Sequence, residues 1–212
     1  MAHLCLLLSG AVLLVNGLAT LKRLPWRDAA ILNLVVGSLQ LLLGLMSLAG
    51  GAAPLLTVAG MFLFGLTYVY VGLDALLHLG SKGLGWFCGM VAGLGLLLAA
   101  AWLGTDPLLA VLWLAWAGLW GSLFGSLALG RRRMDPFIGW SLVLASPVTA
   151  TVPAFLGLAG TWPSGSEAAW VAAVAVAGLF CAAHLLARRE TLAAHRANPL
   201  PPGPAAGRAT LS

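Results

Sequence analysis

Three tryptophans stand at helical spacing in the stretch WLAWAGLW, residues 113–120. Trp113, Trp116 and Trp120 occupy positions i, i+3 and i+7, so on a helix they fall within about 60° of one another on one face. Indoles of membrane proteins usually lie at the two water interfaces, whereas this stripe lies in the middle of an apolar segment. Flat aromatic walls there would hold a planar uncharged solute and exclude ions. The alternative is ordinary helix packing with indole hydrogen bonds.

Most other polar groups inside the apolar segments are neutral. Asn16 and Asn33 lie in the first two segments, Tyr68 in the third and Thr149 in the sixth. They are accompanied by Thr67, Tyr70, Ser146 and Thr151. Leaving an amide without hydrogen bonds costs roughly 2–7 kcal/mol, and these amide and hydroxyl groups would replace part of its hydration. The pattern therefore favours a path for a small uncharged polar solute.

Ionisable groups within the segments are few. Asp74 and His78 lie near one end of the third segment, and His184 lies near the end of the seventh. Intramembrane ionisable residues are functional candidates, so a proton-linked transporter that uses Asp74 and His78 is the alternative function. A simple i, i+4 pairing of these two side chains near the interface is the favoured explanation.

Catalytic and cofactor-binding patterns are missing from the sequence. It holds no carboxylate pair, Ser–His–Asp set or HExxH motif, and its histidines are poorly placed for haem. Cys5, Cys88 and Cys181 are far apart without metal-ligand spacing, so we expect them to be buried small hydrophobes. The sequence predicts neither an enzyme nor a metal or cofactor site.

Composition places these residues in a membrane. The chain of 212 residues is 61% hydrophobic and 8% charged, whereas soluble domains carry roughly 25% charged residues. A segment of about 20 apolar residues crosses the hydrocarbon core. Seven segments meet that length, at residues 2–21, 28–50, 54–79, 84–104, 107–129, 136–160 and 167–187. We predict an all-α, polytopic membrane helix bundle.

The basic residues indicate how the segments are oriented. With the N-terminus outside, the cytoplasmic parts hold all 11 basic residues: Lys22, Arg23, Arg27, Lys82, Arg131, Arg132, Arg133, Arg188, Arg189, Arg196 and Arg208. The only charged residues of the opposite loops are Asp106 and Glu167. The positive-inside rule thus predicts an outside N-terminus and a cytoplasmic C-terminus. It also explains the net charge of +5 without a nucleic-acid partner.

The sixth segment carries two internal prolines in ASPVTATVPAFL. Pro147 and Pro153 each remove a backbone donor and can kink the helix. Freed carbonyl groups in a membrane need protein groups or a wet cavity as partners. We therefore expect this segment to face the bundle interior, with Ser146, Thr149 and Thr151 helping to satisfy its backbone.

Six stretches together resemble one family. GAVLLVNGL (10–18), NLVVGSL (33–39), FGLTYVY (64–70), WLAWAGLW (113–120), DPFIGW (135–140) and VPAFL (152–156) are similar, in order, to motifs of the AmiS/UreI family of bacterial urea and short-chain amide channels. The match covers about residues 1–160. Each motif alone is weak, but their order is fairly specific.

The resemblance implies a six-helix protomer with a pore through each bundle. It further implies that protomers form a homo-oligomer, a hexameric ring whose centre is filled by membrane lipid. Site residues carried over by the motifs are Asn16, Phe64, Tyr68, Trp113, Trp116 and Trp120, which would line constrictions of the pore. Asp74 and Thr149 are secondary candidates. The implied function is passive permeation of urea or short-chain amides.

The chain departs from the acid-gated members of that family at several points. Their long His-containing loop between spans 2 and 3 is reduced here to about GGAAP, so acid gating by that route is not expected. The region 139–151 lacks the glutamate of their sixth span, and Asp74 stands where the family has Asn. The seventh segment has no counterpart in the six-helix protomer.

These observations divide the chain into three parts. Residues 1–165 are predicted to form the six-helix channel bundle, 166–190 an additional transmembrane helix and 191–212 a disordered cytoplasmic tail. High Ala, Gly, Leu, Arg and Pro usage is typical of a GC-rich bacterial genome, which places the protein in the cytoplasmic membrane. A non-transporting membrane scaffold whose basic tail recruits a partner is a further alternative.

Overall fold

The computed structural model describes residues 1–51 and 53–197, with side chains through residue 193. This part of the chain is helical. Its long helices are α1 (Ala2–Thr20), α2 (Trp26–Ala49), α3 (Leu55–Leu77), α4 (Lys82–Trp102), α5 (Pro107–Leu127), α6 (Asp135–Ala145), α7 (Val152–Leu158) and α8 (Ser166–Ala197). A 3₁₀ turn, Arg132–Met134, precedes α6, and a π-helical turn, Ser146–Thr151, joins α6 to α7.

Seven candidate membrane spans are present among the described residues, which confirms the predicted fold class. The sixth span runs through the 3₁₀ turn, α6, the π turn and α7. The last span is part of α8, which continues as helix to Ala197. The remainder of the predicted tail, 198–212, lies outside the described residues.

Prolines and one aspartate set several helix starts. Pro25 and Pro54 precede α2 and α3 in extended conformations, and Pro107 is the first residue of α5. A proline at such a position is tolerated because the first N–H groups of a helix have no internal partner. The Asp106 carboxylate caps α5 by accepting a hydrogen bond from the Leu109 N–H at 2.9 Å.

Helix α1 packs against α2 and against the sixth span, while α2 pairs closely with α3 and α4 with α5. The contact with the sixth span depends on glycine. A Cβ atom added at Gly17 would lie 2.8 Å from the Gly139 carbonyl oxygen, so a larger residue would separate the two helices. Small residues at such crossings let membrane helices approach closely.

Helix α8 lies on the outside of the bundle, against α5 and α6. Only 11% of its most apolar stretch is buried. Cys5 and Cys88 are buried as expected, but Cys181 is exposed. The expectation for Cys181 was wrong because α8 turns much of its apolar surface away from the protein.

The sixth span contains the helix irregularity that its prolines predict. In the π turn the Val152 N–H bonds to the Pro147 carbonyl. The Ser146 hydroxyl donates to the Gly10 carbonyl on α1 at 2.7 Å. The Thr149 hydroxyl donates to the Ala145 carbonyl at 2.8 Å. Thr149 thus satisfies a carbonyl of its own span, as expected, whereas Ser146 bonds to α1 and Thr151 makes no side-chain hydrogen bond among the described residues. Ser146 and Thr149 are both buried.

Candidate functional site

Two cavities run into the bundle from its opposite ends. The larger, about 650 Å³, reaches the end that carries Lys22 and Arg132, here called the basic end. The smaller, about 370 Å³, reaches the other end, where His3 and Asp106 line it. Phe64 lines both cavities, as does Trp116. The two cavities therefore meet at Phe64 and Trp116.

An aromatic cluster surrounds Phe64 where the cavities meet. The Phe64 ring centroid lies 4.7 Å from that of Trp120, 5.0 Å from Trp116, 5.9 Å from Trp113 and 6.0 Å from Tyr68. The Trp116 ring stands edge-on to both Phe64 and Trp113. We call these five residues, Phe64, Tyr68, Trp113, Trp116 and Trp120, the aromatic constriction. All five are buried.

Polar and small neighbours fix two of the indoles. The Trp116 indole N–H donates to the Thr149 hydroxyl at 3.1 Å, and Thr149 itself bonds to the Ala145 carbonyl. The Trp113 ring lies over Gly60, where an added Cβ would come within 2.7 Å of it. The ring positions are consequently set by α3 and by the π turn as well as by α5.

Asn16 lines the larger cavity, but its amide is largely committed to another side chain. Asn16 Nδ2 donates to Asn33 Oδ1 at 3.1 Å, and Asn33 Nδ2 donates back to Asn16 Oδ1 at 2.6 Å. Asn33 also donates to the Ala29 carbonyl at 2.8 Å. This reciprocal pair ties α1 to α2 and leaves Asn16 limited capacity to bind a solute.

Asp74 is held by a turn and not by His78. Its carboxylate accepts hydrogen bonds from the Ser81 N–H at 3.0 Å and the Ser81 hydroxyl at 2.5 Å. His78 ends α3 in the left-handed conformation, with φ of 53°. The i, i+4 pair considered from the sequence is therefore not formed, because the helix ends at His78 and Ser81 takes the carboxylate. Both residues line the larger cavity near the basic end.

The mouth of the smaller cavity is built from distant parts of the chain. The Trp162 ring, in the loop after α7, stacks on the His3 ring with centroids 5.0 Å apart. Its indole N–H donates to Asp106 Oδ2 at 3.0 Å. Asp106 therefore caps α5 and also fixes the loop that leads to α8. Neither His3 nor Trp162 was predicted from the sequence to have a role.

Two further polar residues near the smaller cavity were not predicted from the sequence. Ser9 lines the smaller cavity, and Gln40 lies directly behind it with no exposed surface. A signal was present, since Gln40 is the only glutamine in the chain and lies inside a membrane span. Polar side chains at such depth are costly unless they have partners or a function.

The arrangement suits an uncharged solute. The five residues of the aromatic constriction carry no ionisable carboxylate, amine or imidazole, and the charged residues that line the cavities lie toward their ends. An ion crossing the constriction would lose its water without a compensating charge, which costs far more than desolvating a neutral amide. Within the described part of the chain, no group of His, Cys, Asp or Glu side chains could hold a metal ion.

Comparison with known proteins gives a consistent result. A model of the AmiS/UreI family, described as a family of transporters, matches residues 1–161. A relative from Rhodococcus erythropolis named as the transporter protein AmiS2 is 41% identical over 183 residues, which are 83% of this chain and 89% of the relative. A relative from Mycolicibacterium smegmatis, named for transport of amidate substrates, is 39% identical over 170 residues, 78% of this chain and 80% of the relative.

A solved structure matches as well. The crystal structure of the urea channel from Helicobacter pylori aligns with a TM-score of 0.68 and 27% sequence identity. The alignment covers 77% of this chain and 100% of the channel. The uncovered share is close in size to the loop after α7, α8 and the tail.

Proposed function

From the membership of this chain in the AmiS/UreI family, we propose that it is a passive membrane channel for urea or short-chain aliphatic amides. The observation that carries the proposal is the junction of the two cavities. Phe64 and Trp116 line both, so a solute crossing the bundle passes between aromatic rings. One relative is named for urea and another for amidate substrates. Urea and short-chain amides are small, uncharged and polar.

The residues of the proposed pathway follow from this geometry. Phe64, Tyr68, Trp113, Trp116 and Trp120 form the selective slot, and flat walls favour flat solutes. Asn16 lines the wider part of the path on the basic side, where its pairing with Asn33 makes it mainly a wall and a helix tie. Thr149 acts through Trp116, whose indole N–H it accepts.

The setting is the bacterial cytoplasmic membrane, which the protein crosses several times. We place the basic end in the cytoplasm, because the positive-inside rule favours that orientation. The Arg23–Glu190 ion pair at 2.9 Å joins the end of α8 to the α1–α2 loop, in agreement with a C-terminus on the same side. Protomers are proposed to form a hexameric ring with lipid at its centre, as the family resemblance implies.

A transport assay tests the proposal directly. Proteoliposomes and protein-free liposomes are mixed rapidly with urea or acetamide at neutral and acidic pH, and light scattering reports the rate of entry. We expect faster entry with protein at both pH values. Equal rates with and without protein would contradict the proposal.

A second assay separates the channel from a proton-linked transporter. A pH gradient is imposed across the proteoliposomes, and internal labelled acetamide is measured over time. A channel lets acetamide reach equilibrium and no further. Accumulation above equilibrium that is abolished by Asp74→Asn would instead establish the proton-linked alternative.

A further inference from the structure

Three polar side chains from three helices meet beside the aromatic constriction. Gln40 on α2 donates from Nε2 to the Cys5 carbonyl at 2.7 Å and to the Ser9 hydroxyl oxygen at 2.9 Å, both on α1. The Tyr68 hydroxyl, from α3, lies beside Ser9. All of these groups are buried. Their positions need explanation because polar groups inside a membrane bundle are costly without partners.

Only one assignment of donors and acceptors fits the contacts of Gln40. A backbone carbonyl only accepts, so the Gln40 atom that faces the Cys5 carbonyl must be its NH₂ group. That same group donates to Ser9, so the Ser9 oxygen acts as an acceptor. The Ser9 hydroxyl hydrogen is then available as a donor, and the neighbouring Tyr68 oxygen is its nearest acceptor, although the two hydroxyl groups do not meet hydrogen-bond geometry in the described structure. Gln40 thus leaves Ser9 as a donor on the side of Tyr68.

Two atoms of the cluster lack partners. The Tyr68 hydroxyl and Gln40 Oε1 are buried without a hydrogen bond in the described structure. Leaving a buried polar atom unsatisfied costs about 1–3 kcal/mol, so such atoms call for an explanation. Ser9 lines the cavity on one side of the constriction and Tyr68 lines the cavity on the other. Ser9 and Tyr68 therefore flank the point where a solute would pass between the cavities.

We propose that the Ser9 and Tyr68 hydroxyl groups form the polar edge of the constriction and select solutes that carry an amide. Ser9 donates to the carbonyl oxygen of the solute, and the Tyr68 oxygen accepts from its N–H. Gln40 is a positioning residue that holds Ser9 as a donor. This inference rests on the proposed channel function and names the residues that set its specificity.

The shape of an amide is complementary to this combination of aromatic rings and hydroxyl groups. A urea or amide molecule has two apolar flat faces, and its donors and acceptors lie around its edge in the same plane. The aromatic rings contact the faces, and the two hydroxyl groups replace part of the water lost from the edge. The barrier to crossing is thereby lowered for amides more than for ions or apolar solutes of similar size.

The test compares Ser9→Ala with Ser122→Ala in proteoliposomes. Ser122 is also a buried serine, but its hydroxyl is bonded to the Leu119 carbonyl and it lines neither cavity. Permeation rates are measured for urea and for thiourea, whose sulfur is a weaker hydrogen-bond acceptor. We expect Ser9→Ala to lower urea permeation by about five- to tenfold, the effect of one hydrogen bond. Thiourea permeation should fall less, and Ser122→Ala should change neither.

The role of Gln40 is tested by a double-mutant cycle. Gln40→Met should lower the urea-to-thiourea permeation ratio in the wild-type background but leave it unchanged in a Ser9→Ala background. Tyr68→Phe should lower urea permeation while retaining the ring. A purely structural Gln40 would instead slow both solutes equally in both backgrounds, which would overturn its positioning role.

Different results would contradict the specificity proposal and the channel proposal. If wild-type protein conducts urea and Ser9→Ala and Tyr68→Phe behave like Ser122→Ala, this inference is overturned and the channel function stands. If wild-type protein does not raise permeability to urea, thiourea or acetamide, both proposals are overturned. Chromatographic profiles and thermal unfolding of each variant confirm that only folded protein is compared.

Discussion

Helices α5 and α8 are both membrane spans, but they have opposite environments. Both are rich in alanine and leucine, and both contain tryptophan. The mean hydropathy of the most apolar stretch is 1.7 for α5 and 2.1 for α8, yet 61% of that stretch is buried in α5 and only 11% in α8. The more apolar stretch therefore belongs to the outer helix. Hydropathy identifies a membrane span, but it does not say whether the span contacts protein or lipid.

What distinguishes the two helices is the placement of large and small residues. On α5 the indoles share one face and meet rings from α3. On α8 the indole of Trp170 is 73% exposed, near the start of the helix. Helix α8 contacts the bundle through a narrower strip that includes Leu179, Ala183 and Phe180. The Arg23–Glu190 pair is exposed and adds at most about 1 kcal/mol, so packing holds α8 in place.

The largest difference in stability and in solute selectivity is expected between Trp116→Ala and Trp170→Ala. The first removes a buried ring that divides the cavities and should lower the free energy of unfolding by about 3–5 kcal/mol. It should also raise entry of butyramide relative to acetamide, because the narrow point is widened. Trp170→Ala should change stability by about 0.5 kcal/mol or less and leave selectivity unchanged.

Thermal unfolding in detergent and stopped-flow permeability of proteoliposomes measure both quantities. If the two variants have the same butyramide-to-acetamide ratio, the indole at 116 is a packing residue and does not set selectivity.

Glycine-to-alanine substitutions on α3 and α8 test the same difference in packing. Gly60→Ala places a methyl group against the Trp113 ring, where the available gap is 2.7 Å. Such overpacking costs about 1–3 kcal/mol and should shift Trp113, which lowers urea permeation. Gly178→Ala on α8 has no atom within 4 Å of its new methyl group, so it should stabilise the helix by up to about 1 kcal/mol.

The same two assays apply, with urea as the solute. Equal permeation by Gly60→Ala and Gly178→Ala would show that Trp113 can move without affecting the path.

A smaller difference in stability is expected between substitutions at the N-terminal ends of α5 and of α8. Asp106→Ala removes the cap of α5 and the bond to Trp162, so stability should fall by about 1–2 kcal/mol. Glu167, in the first turn of α8, interacts favourably with the helix dipole and has no hydrogen bond or ion pair among the described residues, so Glu167→Ala should cost about 0.3–1 kcal/mol. Denaturation curves under identical detergent conditions measure the difference. A larger loss for Glu167→Ala would contradict the assigned roles.

Removal of α8 should have the smallest effect on permeation. A chain that ends after Gly165 retains both cavities and the aromatic constriction, so urea entry per folded protein should be unchanged. Stability should fall, because Phe137 would lose its contact with the Phe180 ring. Loss of permeation in a folded truncated protein would show that α8 takes part in the path or in its assembly.

The sequence predicted the seven spans and the aromatic cluster for clear physical reasons. Long apolar segments with proline, glycine or charge between them leave few alternatives, and the spacing of Trp113, Trp116 and Trp120 places them on one face. Family resemblance added Phe64 and Tyr68, which come from another helix. Contacts between helices at this level of detail do not follow from periodicity within one helix.

The hydrogen-bonded pairs could not be predicted. Asn16 with Asn33, and Ser9 with Gln40, depend on how α1 and α2 are rotated and how closely they approach. An amide side chain without a partner nearby in the sequence is hydrogen-bonded to a side chain of another helix in the fold. The Asp74 pairing changed for a related reason, because the end of α3 at His78 brings Ser81 to the carboxylate.

The π turn at Ser146–Thr151 has a consequence for how this span can vary in length. Such a turn holds one residue more than an ordinary α-helical turn, and each residue in a helix corresponds to about 100° of rotation. Compared with an unbroken α-helix of the same sequence, the extra residue therefore changes which residues of α7 face the bundle. Ala154 is thereby buried and Phe155 faces outward. Deleting one residue here would let the span continue as an ordinary α-helix with Ala154 still facing inward, so the π turn lets this span lose one residue without turning α7.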